Sequence, residues 1–327
     1  MRVFCVLIMA MTLVAGSAGA TAGQSDVSSR PAIPSAGCGT SDIDVGQHSD
    51  RTINDTHELP WQLLVPSTHD GVTPVPLVIS LHGGYESGYT GLSRFTDLGE
   101  EQGFAVVAPR HSRYGAWMYW FEDTAVDATA ANPDVVLVDA LIDDLDERLC
   151  LDLARVYASG FSGGAWGTAV LGCALEDRLA ALAPVAASLD LGDACDLERP
   201  VPLIAFHGTA DEAALFEGGI SEELLDSELP WGGRWRDTPA NQADAWRVMG
   251  RSVPERLAGI AVRNGCDPEP ASESVADDVE RLTWACPEGA EVELVVIDGG
   301  THVWPTLPTL DASELMWDFF EQHSLPE

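Results

Sequence analysis

The stretch Arg155-Val-Tyr-Ala-Ser-Gly-Phe-Ser-Gly-Gly-Ala-Trp-Gly-Thr-Ala-Val-Leu171 predicts a β-strand, a sharp turn and an α-helix, with Ser162 at the corner. A serine held at a strained strand-to-helix turn leaves no space for side chains two residues before and after it, and Gly160 and Gly164 stand at those positions. The pattern G-x-S-x-G in this context is typical of a nucleophile elbow. A Gly-rich structural turn would give the same pattern. The interpretation of Ser162 as a nucleophile therefore depends on whether a base, an acid and a second oxyanion donor occur elsewhere in the chain.

Apolar and amphipathic segments alternate along the rest of the chain. The predicted strands span residues 61–66, 76–81, 104–109, 179–185, 202–206 and 291–297, the first as an antiparallel edge, and the predicted helices span residues 95–102, 134–149, 253–264 and 312–323. This alternation predicts an α/β domain with a doubly wound, mostly parallel sheet. In such sheets the functional site lies beyond the carboxyl ends of the strands.

Three loops at that edge carry polar candidates, namely Ser162, Asp211 and His302. Their order along the chain is that of an α/β-hydrolase triad. A serine hydroxyl is a poor nucleophile until a neutral imidazole takes its proton, and a carboxylate must orient that imidazole and stabilise it once it is charged. We therefore expect Ser162 to attack, His302 to act as base and then as acid, and Asp211 to hold His302.

Other residues compete for these roles. His111 and His207 also follow buried strands, but both precede the predicted acid, whereas His302 lies in a Gly-rich loop after the last strand. Asp298 is only four residues before His302 and is more typical of a loop-capping carboxylate. His302 and Asp211 remain the favoured pair.

The segment His82-Gly83-Gly84 ends a predicted strand, at the place where such folds carry the second oxyanion donor. We expect the backbone N–H groups of Gly84 and Gly163 to form the oxyanion hole, with Tyr85 as the near alternative. His82 itself is more typical of a structural residue of this loop.

The beginning of the chain has the pattern of a secretory signal peptide. Residues 1–22 combine a single positive charge, a short apolar run and small residues, and the apolar run is too short to cross a bilayer. Residues 23–37, rich in Ser and Pro, are predicted to form a flexible leader, and residues 38–327 a single catalytic domain. The sequence therefore predicts a secreted protein without a membrane span.

The composition is strongly acidic. The chain has 52 acidic residues against 17 basic residues, all of them Arg, which gives a formal net charge of -35. Such a charge repels nucleic acids, acidic polysaccharides and anionic membranes. Nucleic acid is therefore excluded as a partner, and the surface charge alone does not distinguish a need for solubility from adaptation to salt.

Six cysteines remain after the predicted signal peptide. They are Cys38, Cys150, Cys173, Cys195, Cys266 and Cys286. In an exported protein this number predicts three disulfides, although the residues alone leave the pairing open. No C-x-x-C motif and no Cys/His cluster occurs in the sequence, so we expect neither a metal nor a cofactor.

Five motifs together resemble a known family of secreted esterases. They are the segment from Leu149 to Gly164, Ala205-Phe-His-Gly-Thr-Ala-Asp211, Arg263-Asn-Gly-Cys-Asp267, Ile297-Asp-Gly-Gly-Thr-His-Val-Trp-Pro305 and Trp317-Asp-Phe-Phe320. In this order they resemble the polyhydroxybutyrate depolymerase and feruloyl esterase group, which is similar to carbohydrate esterase family 1, from about residue 61 to residue 325.

The resemblance implies an α/β-hydrolase fold with Ser162, Asp211 and His302 as the triad. It also implies disulfides that join Cys173 to Cys195 and Cys266 to Cys286, which leaves Cys38 for Cys150. Two segments depart from the family pattern, Glu212-Ala-Ala-Leu-Phe216 after the acid and Gly84-Tyr-Glu-Ser87 in the oxyanion loop. We expect both departures to alter the substrate pocket rather than the triad.

Aromatic residues supply the candidate substrate contacts. Trp117 and Trp120 belong to a dense aromatic cluster, Trp304 lies two residues beyond His302, and Tyr85 lies in the oxyanion loop. An exposed cluster would bind an aromatic acyl group or a polyester surface, whereas burial under a loop would make it structural.

The sequence thus predicts a serine esterase that acts on a carboxylic ester, with polymers such as a feruloylated or acetylated polysaccharide or a polyhydroxyalkanoate among the candidate substrates. One alternative is acyl transfer to a sugar hydroxyl, as in mycolyltransferase-like relatives, which requires a site sheltered from water. Another is a catalytically silent hydrolase fold kept as a binding protein, whose expected signature is a missing triad residue. None of the three is missing.

Overall fold

The computed structural model describes residues 30–53, 58–84, 86–110, 128–228, 234–237 and 250–326. The predicted signal peptide, 1–22, lies outside these ranges. So do three of the four aromatic candidates, Tyr85, Trp117 and Trp120.

Within the described ranges, ten strands form one sheet around which the helices pack. The strands are β1 (Gly46–Ile53), β2 (Glu58–Val65), β3 (Val75–Leu81), β4 (Ala105–Pro109), β5 (Leu151–Phe161), β6 (Ala181–Val185), β7 (Leu203–Gly208), β8 (Ala271–Ala276), β9 (Val279–Thr283) and β10 (Val292–Ile297). Their order across the sheet is β1-β2-β4-β3-β5-β6-β7-β10-β9-β8. The six central strands from β4 to β10 are parallel, and antiparallel pairs close both ends. A further short hairpin joins β11 (Thr306–Leu307) to β12 (Leu310–Asp311).

Helices cover both faces of this sheet. They are α1 (Gly88–Ser93), α2 (Thr96–Gln102), α3 (Pro133–Arg148), α4 (Gly163–Ala174), α5 (Glu222–Asp226), α6 (Val253–Arg263) and α7 (Ala312–Phe320). One hydrophobic core contains residues of α3, α4 and α6, and the other contains residues of α7 and the segment around α1 and α2. Along β3, Leu77 and Ile79 face the first core while Val78 faces the second, so the strand is buried on both sides. Among the described helices none is long and apolar enough to span a bilayer.

This arrangement confirms the predicted α/β-hydrolase fold with its mostly parallel sheet. One detail of the prediction was wrong, because β2 is not the edge strand. It pairs with β4 on one side and along its whole length with β1 on the other. The edge strand β1 is mostly polar and exposed, so its sequence lacks the apolar alternation that marks a half-buried strand.

The hairpin of β8 and β9 at the opposite edge was also not predicted. Most of β8 is exposed to solvent, and Ser, Glu and Ala occupy most of its positions. Because neither face of β8 packs on a core, hydrophobic periodicity gives no signal there. The hairpin extends the sheet beyond β10, the strand that leads into His302.

The predicted flexible leader, 23–37, differs from the structure in its second half. The Ile33 carbonyl accepts the N–H of Leu153 at 2.8 Å, and the Ser35 N–H donates to the carbonyl of Leu151 at 2.9 Å. The buried hydroxyl of Ser35 also donates to the carbonyl of Leu149 at 2.6 Å. Order therefore begins before Cys38, because this segment pairs with the start of β5.

Three disulfides connect the described cysteines. Cys38 bonds to Cys150, Cys173 to Cys195, and Cys266 to Cys286. This is the pairing that the family resemblance implies. The first bond closes a separation of 112 residues and fixes the N-terminal segment to the start of β5, whereas the other two close separations of 22 and 20 residues.

The turn between β5 and α4 requires backbones to approach more closely than a side chain permits. A Cβ atom added to Gly164 would lie 2.3 Å from the carbonyl oxygen of Leu81 and 2.7 Å from that of His82. A Cβ atom added to Gly160 would lie 2.1 Å from the carbonyl oxygen of Gly164. The glycines on either side of Ser162 thus allow α4 to start directly against the ends of β3 and β5.

We predict that the disulfides contribute unequally to stability. Loop-closure entropy gives the long Cys38–Cys150 bond about 1.5 kcal/mol more stabilisation than the short Cys266–Cys286 bond. The paired variants Cys38→Ser/Cys150→Ser and Cys266→Ser/Cys286→Ser, compared by urea unfolding, should show this difference in the free energy of unfolding. Equal losses, or six free thiols in the native protein, would contradict it.

We also predict opposite outcomes for two adjacent glycines. Gly164→Ala forces a methyl group against two backbone carbonyls and should lower the free energy of unfolding by about 3 kcal/mol. Gly163→Ala is the matched control, because its Cβ would lie 3.7 Å from the nearest atom, the Gly84 nitrogen. The control should change stability by less than about 1 kcal/mol. Equal stabilities of the two variants in chemical denaturation would refute the close-approach argument.

Candidate active site

Ser162 lies at the corner between β5 and α4. Its backbone adopts φ 52 and ψ -115, a strained conformation for a residue with a side chain. The Ser162 N–H donates to the carbonyl of Val185 at the end of β6, at 2.9 Å. The neighbouring strand therefore holds the strained turn, and the hydroxyl projects at the carboxyl edge of the sheet.

His302 lies in the loop of residues 298–304 that follows β10, which we call the histidine loop. Its Nε2 atom is 2.9 Å from Oγ of Ser162, and its Nδ1 atom is 2.8 Å from Oδ2 of Asp211. The ring also packs against Phe161, with 5.0 Å between the ring centroids. The hydrogen-bond network assigns the proton to Nδ1, since a carboxylate only accepts, and leaves Nε2 to accept from the serine hydroxyl.

Asp211 follows β7, and its carboxylate is completely buried. Oδ1 accepts the backbone N–H groups of Ala213 and Ala214, each at 2.8 Å, while Oδ2 accepts from His302. Three N–H donors thus satisfy a carboxylate that would otherwise be costly to bury. The turn after Asp211 fixes the orientation of its carboxylate towards the imidazole.

The loops that carry Asp211 and His302 are joined to one another. The Ala210 N–H donates to the carbonyl of Gly300 at 2.9 Å. The hydroxyl of Thr209 donates to Oδ1 of Asp298 at 3.0 Å and accepts the N–H of Gly299 at 2.8 Å. Asp298 thus caps the loop, as its position in the sequence predicts. The hydrogen bonds between the two loops set the distance between Asp211 and His302.

Glu212 is a contributor to the site that the sequence did not reveal. Its carboxylate accepts the backbone N–H of His302 at 3.2 Å. Together with the bonds from Ala213 and Ala214 to Asp211, this contact shows that residues 212–214 hold both Asp211 and His302 in place. The expectation that the unusual segment after Asp211 affects only the substrate pocket was wrong. Its first residue, Glu212, hydrogen-bonds to His302, which lies 90 positions further along the chain.

His207 lies on β7 directly behind the acid. Its Nε2–H donates to the carbonyl of Ala214 at 2.8 Å, and the same atom lies 3.5 Å from Oδ2 of Asp211. Burial lowers the pKa of the His207 imidazole from 6.5 to about 4, although the Ala214 carbonyl and the Asp211 carboxylate oppose the shift. The ring is therefore neutral near pH 7, and its Nε2–H is hydrogen-bonded to the backbone carbonyl of Ala214. The other histidine considered as a base, His111, lies outside the described residues.

The predicted oxyanion donors face each other across the elbow. Gly163 is the first residue of α4, where a backbone N–H has no partner within the helix. A Cβ atom on Gly163 would lie 3.7 Å from the nitrogen of Gly84, which places the two backbones side by side. His82, in the same loop, is buried, and its Nδ1 atom bonds the carbonyl of Gly83 at 2.8 Å. The arrangement is suited to bind an anionic oxygen next to Ser162.

Trp304 is the aromatic candidate that falls within the described residues. Its Nε1–H donates to the hydroxyl of Ser313 at 3.2 Å, and its ring meets Phe95 edge-on at 5.8 Å. It also lines a mostly apolar cavity of about 120 Å³ together with Val185, Phe206 and Val303. Trp304 is thus both packed and a wall of a cavity next to the histidine loop.

Among the residues that the structure describes, no group of three or more His, Cys, Asp or Glu side chains is arranged to hold a metal ion. What the site does provide is a continuous series of hydrogen bonds from a buried carboxylate through an imidazole to a serine hydroxyl. Such a series allows a proton to leave the hydroxyl as its oxygen attacks a carbonyl carbon.

Comparison with known proteins identifies relatives by sequence. No family model matches the chain. Feruloyl esterase B of Piromyces equi is 30% identical over 197 residues, which cover 59% of this chain and 32% of that protein. A probable feruloyl esterase C of Aspergillus oryzae is 29% identical over 195 residues, which cover 57% of this chain and 66% of that protein. Poly(3-hydroxyalkanoate) depolymerase C of Paucimonas lemoignei is 30% identical over 120 residues, 34% of this chain and 27% of that protein. The chain therefore spans less than two thirds of each of these relatives.

Solved structures agree on the fold. An acetyl xylan esterase from Aspergillus awamori superposes with a TM-score of 0.56 at 16% identity, over 84% of this chain and 99% of that one. A poly(3-hydroxybutyrate) depolymerase from Bordetella parapertussis gives a TM-score of 0.50 at 16% identity, over 79% of this chain and 85% of that one. The chain thus has an α/β-hydrolase fold and is similar in sequence to feruloyl esterases and to a polyhydroxyalkanoate depolymerase.

Proposed function

We propose that this chain is a secreted serine esterase that hydrolyses carboxylic esters through an acyl-enzyme. The observation that carries the proposal is the pair of contacts of His302, 2.9 Å to the Ser162 hydroxyl and 2.8 Å to the Asp211 carboxylate. These three side chains come from loops far apart in sequence. Their convergence next to two candidate oxyanion donors supports a catalytic role for all of them.

The proposed reaction has two halves. Ser162 Oγ attacks the ester carbonyl carbon while its proton passes to Nε2 of His302, and the new oxyanion accepts from the N–H groups of Gly84 and Gly163. The imidazolium, stabilised by Asp211, then protonates the leaving alcohol, and the C–O bond breaks to leave an acylated serine. Water, deprotonated by His302, repeats the attack and releases the acid.

The relatives support an ester of a plant polysaccharide as the substrate class. Three of the proteins compared above are named feruloyl or acetyl xylan esterases, and the feruloyl esterase matches cover more of this chain than the depolymerase match does. A net charge of -35 is compatible with a neutral polymer and unfavourable for an anionic one. We therefore propose feruloyl or acetyl esters first, and a polyester as the alternative.

Secretion is part of the proposal. It is supported by the signal-peptide pattern of residues 1–22 and by three disulfides, which persist in oxidising compartments.

We predict that Ser162→Ala lowers turnover by at least about 10³-fold, because the nucleophile acts as a unit with its base. The measurement compares the wild type and the variant on methyl ferulate, short p-nitrophenyl esters, acetylated xylan and polyhydroxybutyrate film. Ser159→Ala is the matched control, since this serine lies on the same strand and its hydroxyl donates to the carbonyl of Ala183 at 3.0 Å. The control should lose about 1 kcal/mol of stability and keep its turnover. Residual ester hydrolysis by Ser162→Ala at the wild-type rate would rule out the proposed mechanism.

We further predict that His207 makes the folded state sensitive to acid. Its folded pKa of about 4 lies below the unfolded value of 6.5, so the unfolded chain binds the proton first. The stability is therefore complete above about pH 6.5 and is lost as the pH falls towards 4, by at most about 1.4 kcal/mol per pH unit. Urea unfolding of the wild type and of His207→Gln across this range should give a smaller pH slope for the variant. Identical slopes would show that His207 is not held neutral by the fold.

A further inference from the structure

Arg94 lies in the space between the elbow and the histidine loop. It follows α1, and its side chain is only 8% exposed. The guanidinium carbon lies 4.9 Å from the ring centroid of Phe161 and 4.6 Å from that of Trp304. Phe161 immediately precedes Ser162, and Trp304 is two residues after His302. One cation thus contacts the neighbours of the nucleophile and of the base.

Glu86 joins this cation to the oxyanion loop, residues 82–86. Nη2 of Arg94 donates to both carboxylate oxygens of Glu86, at 2.6 and 2.8 Å. Oε2 of Glu86 also accepts the backbone N–H of Gly83 at 2.7 Å. The carboxylate therefore fixes the residue immediately before Gly84, whose own N–H is the candidate oxyanion donor.

The space around Gly83 is closely filled. A Cβ atom added to Gly83 would lie 2.8 Å from Cδ1 of Phe161 and 3.2 Å from Oε2 of Glu86. The oxyanion loop is thus held between the aromatic ring that precedes the nucleophile and the carboxylate that binds Arg94. A change in either partner would shift the peptide that presents the Gly84 N–H.

Stability alone does not account for this pair. Burial lowers the pKa of the Arg94 guanidinium from its ordinary value, which the charge of Glu86 only partly opposes. Nη1 of Arg94 is buried and has no hydrogen-bond partner among the described residues. Buried ion pairs of this kind are commonly no more stabilising than apolar residues of the same volume. A functional reason for a desolvated cation between the catalytic loops is therefore the better explanation.

We propose that Arg94 and Glu86 are a positioning pair that holds the Gly84 N–H beside that of Gly163, so that both point at the oxyanion of the ester-hydrolysis transition state. The inference rests on the proposed esterase function. Neither side chain touches the reacting atoms, and both act through the backbone of residues 83 and 84. A donor placed for the oxyanion binds the transition state more strongly than the substrate, so its displacement lowers kcat and leaves KM nearly unchanged.

The test uses graded variants of both partners. Glu86→Ala removes the acceptor of the Gly83 N–H and the partner of Arg94, whereas Glu86→Gln keeps an oxygen for that N–H and removes only the charge. Arg94→Met keeps an unbranched apolar side chain between the two rings and removes the donor. We expect kcat to fall about 10-fold to 100-fold in Glu86→Ala and Arg94→Met and less in Glu86→Gln, with KM within about 3-fold of the wild type.

Two further measurements separate positioning from loss of folding. A fluorophosphonate titration counts competent active sites, so that kcat refers to folded enzyme. Affinity for an alkylboronic acid, which forms a tetrahedral adduct with the serine, should weaken in parallel with kcat. Glu293→Gln is the matched control, because Glu293 forms a half-buried ion pair with Arg281 near the start of β10, away from the carboxyl ends of the strands.

The outcomes distinguish this proposal from the esterase assignment. A wild type without ester hydrolysis, or a Ser162→Ala variant as active as the wild type, would defeat the proposed function and this inference with it. An active wild type with an inactive Ser162→Ala, and full kcat in both Glu86→Ala and Arg94→Met, would overturn the positioning pair alone. A kcat loss in Glu293→Gln as large as in Glu86→Ala would also overturn it, because the loss of any ion pair would then be enough to lower kcat.

Discussion

The site depends on the close approach of three backbones around Ser162. Gly164 lies against the end of β3, and Gly160 lies against Gly164, at distances that no Cβ atom tolerates. Only with this contact can α4 begin directly after β5, with Ser162 at a positive φ of 52. The N-terminus of α4 is thereby placed beside the serine hydroxyl, where the unpaired N–H groups and the helix dipole favour negative charge. The positions of the proposed nucleophile and of one proposed oxyanion donor are thus consequences of a single steric constraint.

A second short-range constraint brings Asp211 and His302 to Ser162. A Cβ atom on Gly208 would lie 2.1 Å from the carbonyl oxygen of Gly300, so the loops after β7 and β10 are also in backbone contact. Because the two strands are parallel neighbours in the sheet, their carboxyl ends share one edge. The residues of the proposed triad are therefore aligned by adjacent strand ends and by direct loop contacts, and the long helices on the faces serve to bury the sheet.

The sequence predicts the elements that carry strong local signals. The left-handed Gly103, with φ 79, ends α2 where the pattern places its end, and the capping box of Ser252 and Glu255 starts α6 at Val253. The strands β1 and β8 were missed because they are polar and largely exposed, and the five-residue strand β9 because it has only two apolar residues, so no periodic apolar pattern marks them. Contacts such as those of Glu212 with His302 or of Arg94 with Trp304 join residues distant in sequence. Nothing in the local pattern around these residues encodes such contacts, so only the packed structure reveals them.

Electrostatics in the site follows from a few buried groups rather than from the net charge of -35. Surface charges are screened over about 8 Å at physiological ionic strength, whereas buried groups interact with little screening. Behind Ser162, His207 is neutral near pH 7 and Asp211 is balanced by backbone N–H donors and by His302. In front of it, Arg94 and Glu86 cancel each other in charge while the start of α4 supplies the positive end of a dipole. In the proposed reaction the ester is uncharged and becomes anionic only as it reacts, so the acidic surface would act on the approach of charged molecules and these buried groups would act on the chemical step.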